Sequence, residues 1–336
     1  MSTAPLPETF RKTKKPRAAS LRRAFRTGPV KAAVTGGTGF VGAALIDLLL
    51  EQGWDVAALA RDPARLPAAK DVRIVKGALE DETALAELAA GADVFFHLAG
   101  LTHARAREDY ARVNVEGAAK AARAAKDANA RLVHASSMSA RQPQVSPYAK
   151  SKFDSETAVA RAGGDWRALR LPAIYGPRDM VTLPFFKLVK AGFALAPKTD
   201  PAARASILYV EDAAGAMLAA AEGAAPGAVY EVGDEREEGH SWREIGEILG
   251  EVLGKHPRAI AVPRPAIAAY HGATRAVESA LGKGPSVREG QVNEFFHPDW
   301  TARENLLSEA SGWRPKTPLK EGFAKTARWY QEHGLL

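Results

Sequence analysis

The stretch VKAAVTGGTGFVGAALIDLLLEQG, beginning at Val30, constrains the fold more than any other part of the chain. An apolar strand runs into TGGTGFVG, where Gly36, Gly39 and Gly42 have the G-x-x-G-x-x-G spacing, and an amphipathic helix follows. A dinucleotide site needs glycine here for the tight turn, for close backbone approach to a pyrophosphate and for packing of helix on strand. The helix N-terminus then presents free N–H groups and a positive dipole to phosphate. Gly36, Thr38, Gly39, Phe40 and Val41 are the expected phosphate contacts. Strand and helix patterns continue to alternate through WDVAALAR, VRIVKG, ETALAELAAG, ADVFFHLAG, VEGAAKAARAAKDANA and RLVHASS. That alternation predicts an α/β, doubly wound parallel-sheet Rossmann domain, which leaves the C-terminal part of the chain for a smaller, mainly helical lobe.

The end of the second strand bears on cofactor choice. Arg61 follows Ala60, where an acid would otherwise hold the adenosine ribose, and a guanidinium there suits a 2′-phosphate. This favours NADP(H) over NAD(H). A one-residue slip that brings Asp62 to the ribose reverses the preference.

Charge excludes one class of ligand. The chain has 46 Lys and Arg against 39 Asp and Glu. Residues 1–28 hold eight basic residues and only Glu8, leaving 38 basic and 38 acidic residues in the body. A neutral body argues against nucleic acid as the ligand. The basic tail reads as a solvated extension, a targeting leader or, through SLRRAFR (20–26), a membrane-surface contact. There are no cysteines, which excludes disulfides and thiolate chemistry. No metal-ligand spacing stands out, and DEREEGH (234–240) reads as a solvated loop. A cytoplasmic location is expected, with the tail at the inner face of a membrane as a variant.

YAKSK places Tyr148 four residues before Lys152, on one helix face, with a serine cluster upstream in VHASSMS. In order, TGGTGFVG, HLAG (97–100), VNVEG (113–117), VHASSMS (133–139), YAKSK (148–152), LRLPAIYGPRD (169–179) and LYVEDAAGAM (208–217) resemble the extended short-chain dehydrogenase/reductases. That family includes nucleotide-sugar epimerases and 3β-hydroxysteroid dehydrogenases. The resemblance implies Tyr148 as general acid/base, Lys152 lowering its pKa and holding the nicotinamide ribose, and Ser137 holding the substrate oxygen, with Ser136 and Ser139 as fallbacks. Asn114 matches the asparagine that supports the lysine. Leu79, Leu98, Ala99, Gly100, Pro172 and Ile174 are further implied cofactor contacts. Ala78 departs from the family, many members of which carry Asp there for the adenine.

The implied division is residues 29–176 plus 205–235 for the cofactor and 177–204 plus 236–336 for the substrate, with ASILYV and AVYEVG returning to the main sheet. The substrate side is apolar: PFFKLVKAGFALAP (184–197) contributes Phe185, and PRPAIAAYHGATRAVESALG (263–282) reads as a helix. Tyr175 and His103 are further candidate substrate contacts. The phrases HLAGLTHARAREDYARVNVEG and SSMSARQPQVSPYAKSK are similar to the 3-oxo reductases of bacterial ceramide synthesis. The expectation is thus an NADP(H)-preferring reductase of a ketone on a lipid-like substrate, working as a homodimer. The rivals are a sugar-nucleotide epimerase or dehydratase with retained NAD, and a non-catalytic cofactor-binding subunit.

Overall fold

The structure is a computed structural model that describes residues 28–66, 71–267, 269 and 290–336. The tail with SLRRAFR and most of the helix expected over 263–282 therefore lie outside the described residues.

A single parallel sheet organises the chain. Its strands include β1 (Lys31–Thr35), β2 (Asp55–Ala60), β3 (Arg73–Lys76), β4 (Val94–His97), β5 (Arg131–Ser137) and β6 (Trp166–Leu171). Across the sheet the order is Ala228–Glu231, β6, β5, β4, β1, β2, β3. The chain winds outward from β1 to β3, then returns to β4 and winds the other way. The switch between β1 and β4 opens a crevice at the carboxyl ends of the strands, where ligands bind in such sheets.

Strand side chains alternate between two cores. Ala32 and Val34 point into one cluster with Leu45, Ile46 and Leu49 of helix α1 (Phe40–Glu51) and with Met217 of the Val210–Gly223 helix. Ala33 points into the other, with Leu85 and Leu88 of α2 (Glu82–Ala89). Phe96 and Phe95 divide in the same way. This period of two, inside strands buried on both faces, is why the sequence reads as apolar runs there. A short helix α3 (Arg107–Tyr110) continues through a wider π-helical turn (111–116) into α4 (Gly117–Asp127). In α4, Ala118, Ala121, Ala122 and Ala125 form the buried stripe that faces the second core.

A third core lies outside the sheet. Tyr175, Phe186, Phe323 and Tyr330 meet edge to face, with ring centroids 4.9 to 5.5 Å apart for Tyr175–Phe323, Phe186–Phe323 and Phe186–Tyr330. Leu183, Ile245 and Leu249 complete it.

Two local expectations are corrected. AVYEVG joins the main sheet, but ASILYV does not: Ile207–Tyr209 pairs with the strand Ala173–Tyr175 in a separate two-stranded sheet. DEREEGH is solvated only in part: Glu235, Glu237 and Glu238 are exposed, but Asp234 and His240 are buried. The Asp234 carboxylate accepts backbone N–H groups from Ile207 and Arg236, both at 2.9 Å, and the buried His240 ring lies 3.3 Å from Glu235 Oε1. Backbone donors and an imidazole satisfy the buried ends of this run, while the glutamates between them stay in solvent.

Candidate active site

The glycine turn has the geometry a bound pyrophosphate requires. Gly36 sits at φ +78°, and a Cβ there would stand 2.5 Å from the Ala99 amide nitrogen. Only glycine lets β1 pass this close to the end of β4. Gly39 caps α1 in extended backbone, no side chain caps the helix, and its first turn has no acidic residue. The leading N–H groups thus remain free, and an anion is the natural partner for them. They face a cleft of about 250 Å³ whose walls include Gly36, Thr38, Gly39, Arg61 and Leu79. Leu98, Ala99 and Gly100 close its far side. The Phe40 ring turns the other way, toward Gly176, so Phe40 and Val41 bear on the cleft through their position in the first helical turn. The donor set and the space fit a dinucleotide.

At the ribose end, Arg61 is exposed and borders the cleft. Asp62 is engaged elsewhere: its Oδ1 accepts the Ala64 N–H at 3.2 Å and caps a short 3₁₀ turn that begins at Pro63. Proline after Asp62 explains this, since it fixes the turn that aspartate then caps.

The catalytic candidates converge where β5 meets helix α5 (Pro147–Ala162). Ser146 caps α5 by accepting the Ala149 N–H at 2.9 Å, and Pro147 occupies the first helical position. The cap fixes where the helix starts, and so where Tyr148, Ser151, Lys152, Ser155 and Glu156 face. Ser136 and Ser137 point to opposite sides of β5. Ser137 stands near enough to the Tyr148 phenol for its hydroxyl to lower the phenol's pKa, and it accepts the Ser139 N–H at 3.2 Å. Ser136 instead donates to Glu156 Oε1 at 2.5 Å, inside the fold. Ser139 is half-buried beyond the strand end.

Lys152 is buried and donates from Nζ to the Ala135 carbonyl at 2.6 Å. Burial brings its pKa down to about 8, against a raising influence from the Glu156 carboxylate. Tyr148 moves the opposite way. Burial pushes its phenol up to about 12; the Ser137 hydroxyl opposes this, and the Glu294 and Tyr110 groups add to it. The lowering of Tyr148 by Lys152 is therefore corrected: the ammonium is held by a backbone carbonyl, and desolvation of the phenol dominates. A phenol so placed is protonated at neutral pH, which suits a proton donor.

Asn114 lies in the π-helical turn and ties the loop after β4 to α5. Its Oδ1 accepts the Leu101 N–H at 2.7 Å, and its Nδ2 donates to the Leu101 carbonyl and to Ser151 Oγ at 3.0 and 2.9 Å. Beneath the site, the buried His97 and His134 rings stack with centroids 5.2 Å apart. His97 Nδ1 meets Thr35 Oγ1 at 2.7 Å, and His134 Nε2 meets Ser155 Oγ at 2.9 Å.

Other candidates lie farther out. Pro172 is the break between β6 and the Ala173–Tyr175 strand, and Ile174 lies within that strand. Phe185 packs at the edge of the third core, and His103 is exposed on the loop after β4. Tyr175 is 1% exposed with its hydroxyl turned to the Leu319 carbonyl, so it serves the core and does not face a substrate.

Sequence reasoning missed the charges behind the serines. Glu156 takes two hydrogen bonds from Arg170, at 3.0 and 2.9 Å, and Arg170 reaches Glu231, which Arg141 also pairs at 3.2 Å. Glu156 stands one helical turn beyond Lys152, and that spacing was the available signal.

Comparison with known proteins agrees with this geometry. Residues 32–233 match the model of the NAD dependent epimerase/dehydratase family. The chain belongs to that family. Its members form the extended branch of the short-chain dehydrogenase/reductases, and the protein is an NAD(P)-dependent enzyme of that kind. A ceramide reductase of Caulobacter vibrioides is 40% identical over 307 residues, covering 90% of this chain and 95% of the relative. A 3-beta-hydroxysteroid dehydrogenase of Mycolicibacterium neoaurum is 39% identical over 101 residues, 28% of each chain. Among solved structures, the UDP-glucose 4-epimerase of Thermotoga maritima superposes with a TM-score of 0.69 at 20% identity. It covers 90% of this chain and 99% of its own. At that identity the likeness concerns the fold alone.

Proposed function

We propose that this family member is an NADPH-dependent reductase of a ketone on a long-chain, N-acylated substrate of the 3-oxo-ceramide kind. The observation that carries the reading is Tyr148, held protonated by burial with the Ser137 hydroxyl near it, in a fold whose glycine-turn cleft fits a dinucleotide. The near full-length likeness to a ceramide reductase supports the substrate class.

The first turn of α1 and Gly36 to Gly39 would hold the pyrophosphate, Leu79 and Leu98 to Gly100 the cleft walls, and Lys152 the nicotinamide ribose. Pro172 and Ile174 would border the carboxamide. The bound nicotinamide supplies the hydride. Tyr148 gives its proton to the substrate oxygen as that oxygen gains charge, and Ser137 holds the oxygen in place. Lys152 is charged below about pH 8 and so offers the ribose an ammonium donor. Asn114 keeps the π-helical turn and α5 in register.

Arg61 at the cleft, with Asp62 committed to Ala64, supports NADP(H) over NAD(H). Surface contact through residues 1–28 rests on their charge, and a homodimer on the family resemblance. No described helix is long and apolar enough to cross a membrane.

The test offers purified protein NADPH or NADH with an N-acylated 3-oxo long-chain base in detergent micelles, and separately with UDP-glucose. Consumption of NADPH with the lipid, faster than of NADH, is expected. Conversion of UDP-glucose without net loss of nicotinamide would replace the reductase with the epimerase.

A further inference from the structure

Four large apolar side chains stay exposed among the described residues, and all of them lie outside the main sheet on segments that border the third core. They are Met180, Val181, Phe193 and Ile260, exposed to 55, 75, 43 and 37%. Phe193 begins the strand Phe193–Pro197, which pairs in parallel with Arg258–Val262 as a separate two-stranded ribbon. The register sets Arg258 beside Phe193, Ala259 beside Ala194 and Ile260 beside Leu195. Side chains alternate along a strand, so Phe193, Leu195, Arg258 and Ile260 share one face and Ala194 takes the other. Ala194 marks the inner face. It is buried, and a Cβ on Gly246 of the helix Trp242–Leu253 would stand 2.5 Å from its own Cβ. The ribbon is thus seated on that helix with its larger side chains turned outward.

Charge around this face has a single sign. Residues 180–199 carry Lys187, Lys190 and Lys198, residues 254–262 carry Lys255 and Arg258, and neither stretch has an Asp or Glu. These five cations are exposed, and none forms an ion pair among the described residues. Glu251, four residues before Lys255, is taken by Lys320 at 2.8 Å. In a body whose charges balance overall, this is a local excess.

Exposed apolar side chains mark a contact surface, and unpaired lysines without neighbouring acids attract an anionic one. A protein partner asks for one apolar centre inside a polar rim. Here the apolar residues stand in two places, the Met180–Val181 turn and the ribbon, and the eight-residue helix Leu183–Lys190 with its two lysines runs between them. Interleaving of this kind suits a bilayer surface, where apolar groups enter the acyl boundary and ammonium groups stay at the phosphates.

We propose that the outer face of the ribbon, through Phe193 and Ile260, docks on an anionic phospholipid bilayer. The inference goes beyond the reductase reading and does not depend on it. It also differs from contact through residues 1–28, which would tether the chain by charge without bringing the ribbon into the lipid.

The chain has no cysteine, so full-length protein with Ile260→Cys can carry one environment-sensitive fluorophore on the ribbon. Glu87→Cys places the same fluorophore on the exposed side of α2 as a control. Each protein is titrated with vesicles of phosphatidylglycerol and phosphatidylethanolamine, and separately with vesicles of phosphatidylcholine. The expected result is a blue shift at position 260 with the anionic vesicles, with no shift on phosphatidylcholine and none at position 87. In sedimentation with the anionic vesicles, Phe193→Ser combined with Ile260→Ser should bind at least about tenfold more weakly than wild type, the scale of one large side chain taken out of water. An unchanged NADPH affinity shows that this variant is folded. Vesicle binding that leaves the emission at position 260 unchanged would overturn the proposal and assign attachment to the tail. An equal shift on phosphatidylcholine would overturn it as well. Emission already blue-shifted without vesicles would mean that another segment of this chain covers the face or, if the shift grows with protein concentration, that a second copy does; either contradicts the proposal.

Discussion

The Lys152 ammonium lies 2.6 Å from the Ala135 carbonyl oxygen, so the end of β5 holds the charge that α5 brings to the site. Burial leaves this lysine with a pKa of about 8, below its ordinary value. A group of this kind is charged below that pH and loses its charge as pH rises through it. Reductive kcat/KM, which reports the free enzyme, should therefore fall with increasing pH above about 8. A profile flat to pH 10 would remove Lys152 from the titrating apparatus.

Stability should follow a different pair. Burial brings His97 down to about 3 and His134 well below its ordinary value, each helped by the nearby Lys152 charge. In the unfolded chain both titrate near 6.5. Between that pH and the lower native value the unfolded chain binds protons the native one does not, so stability is lost as pH falls. Thermal melts should show Tm falling steadily from pH 6.5 toward 4.5. A variant with His134→Gln should show a shallower fall, whatever its starting Tm.

Glu156 is fully buried and holds Arg170 through two hydrogen bonds. Glu156→Ala leaves that guanidinium with the Glu231 carboxylate, at 3.5 Å, as its remaining partner among the described residues. Breaking a buried pair from one side should cost about 3–5 kcal/mol. Denaturant melts measure it, and a loss under about 1 kcal/mol would mean that water replaces the carboxylate.

Arg61 should decide between the cofactors. Losing a charge-assisted contact to a 2′-phosphate costs about 1.5–3 kcal/mol, or roughly ten- to a hundredfold in affinity. Arg61→Ala should raise the Kd for NADPH by that factor and leave NADH within about twofold, measured by fluorescence titration. Equal losses for both would assign Arg61 a structural part.

The site was legible where local chemistry is dense. The glycine turn, the Tyr148/Lys152 spacing and the serine at the end of β5 each carry a constraint that a few neighbouring residues express. Long-range partners leave no such trace. Glu294 is 148 residues from Ser146, and nothing in NEFF announces that its carboxylate takes that hydroxyl's hydrogen bond. The same limit explains the two misread segments. ASILYV has the composition of a sheet strand, but its partner is decided by how the chain leaves β6. DEREEGH has the composition of a loop, yet Ile207 and Leu319, distant in sequence, supply the N–H groups that bind Asp234 and Glu235. Tyr175 was misplaced because a family motif fixes its backbone course but not which way its ring turns.

Transfer of hydrogen from the cofactor to a lipid ketone is the central claim, and isotope transfer tests it most directly. Wild-type protein and Tyr148→Phe would each be incubated with NADPH deuterated at both C4 positions and the N-acylated 3-oxo long-chain base, and the lipid weighed by mass spectrometry. The account predicts a 3-hydroxy lipid carrying a single deuterium with wild type, and a rate at least about a hundredfold lower with Tyr148→Phe, the lower bound of what a positioned acid contributes. Lipid recovered without deuterium, or a Tyr148→Phe variant that transfers it at the wild-type rate, would contradict it.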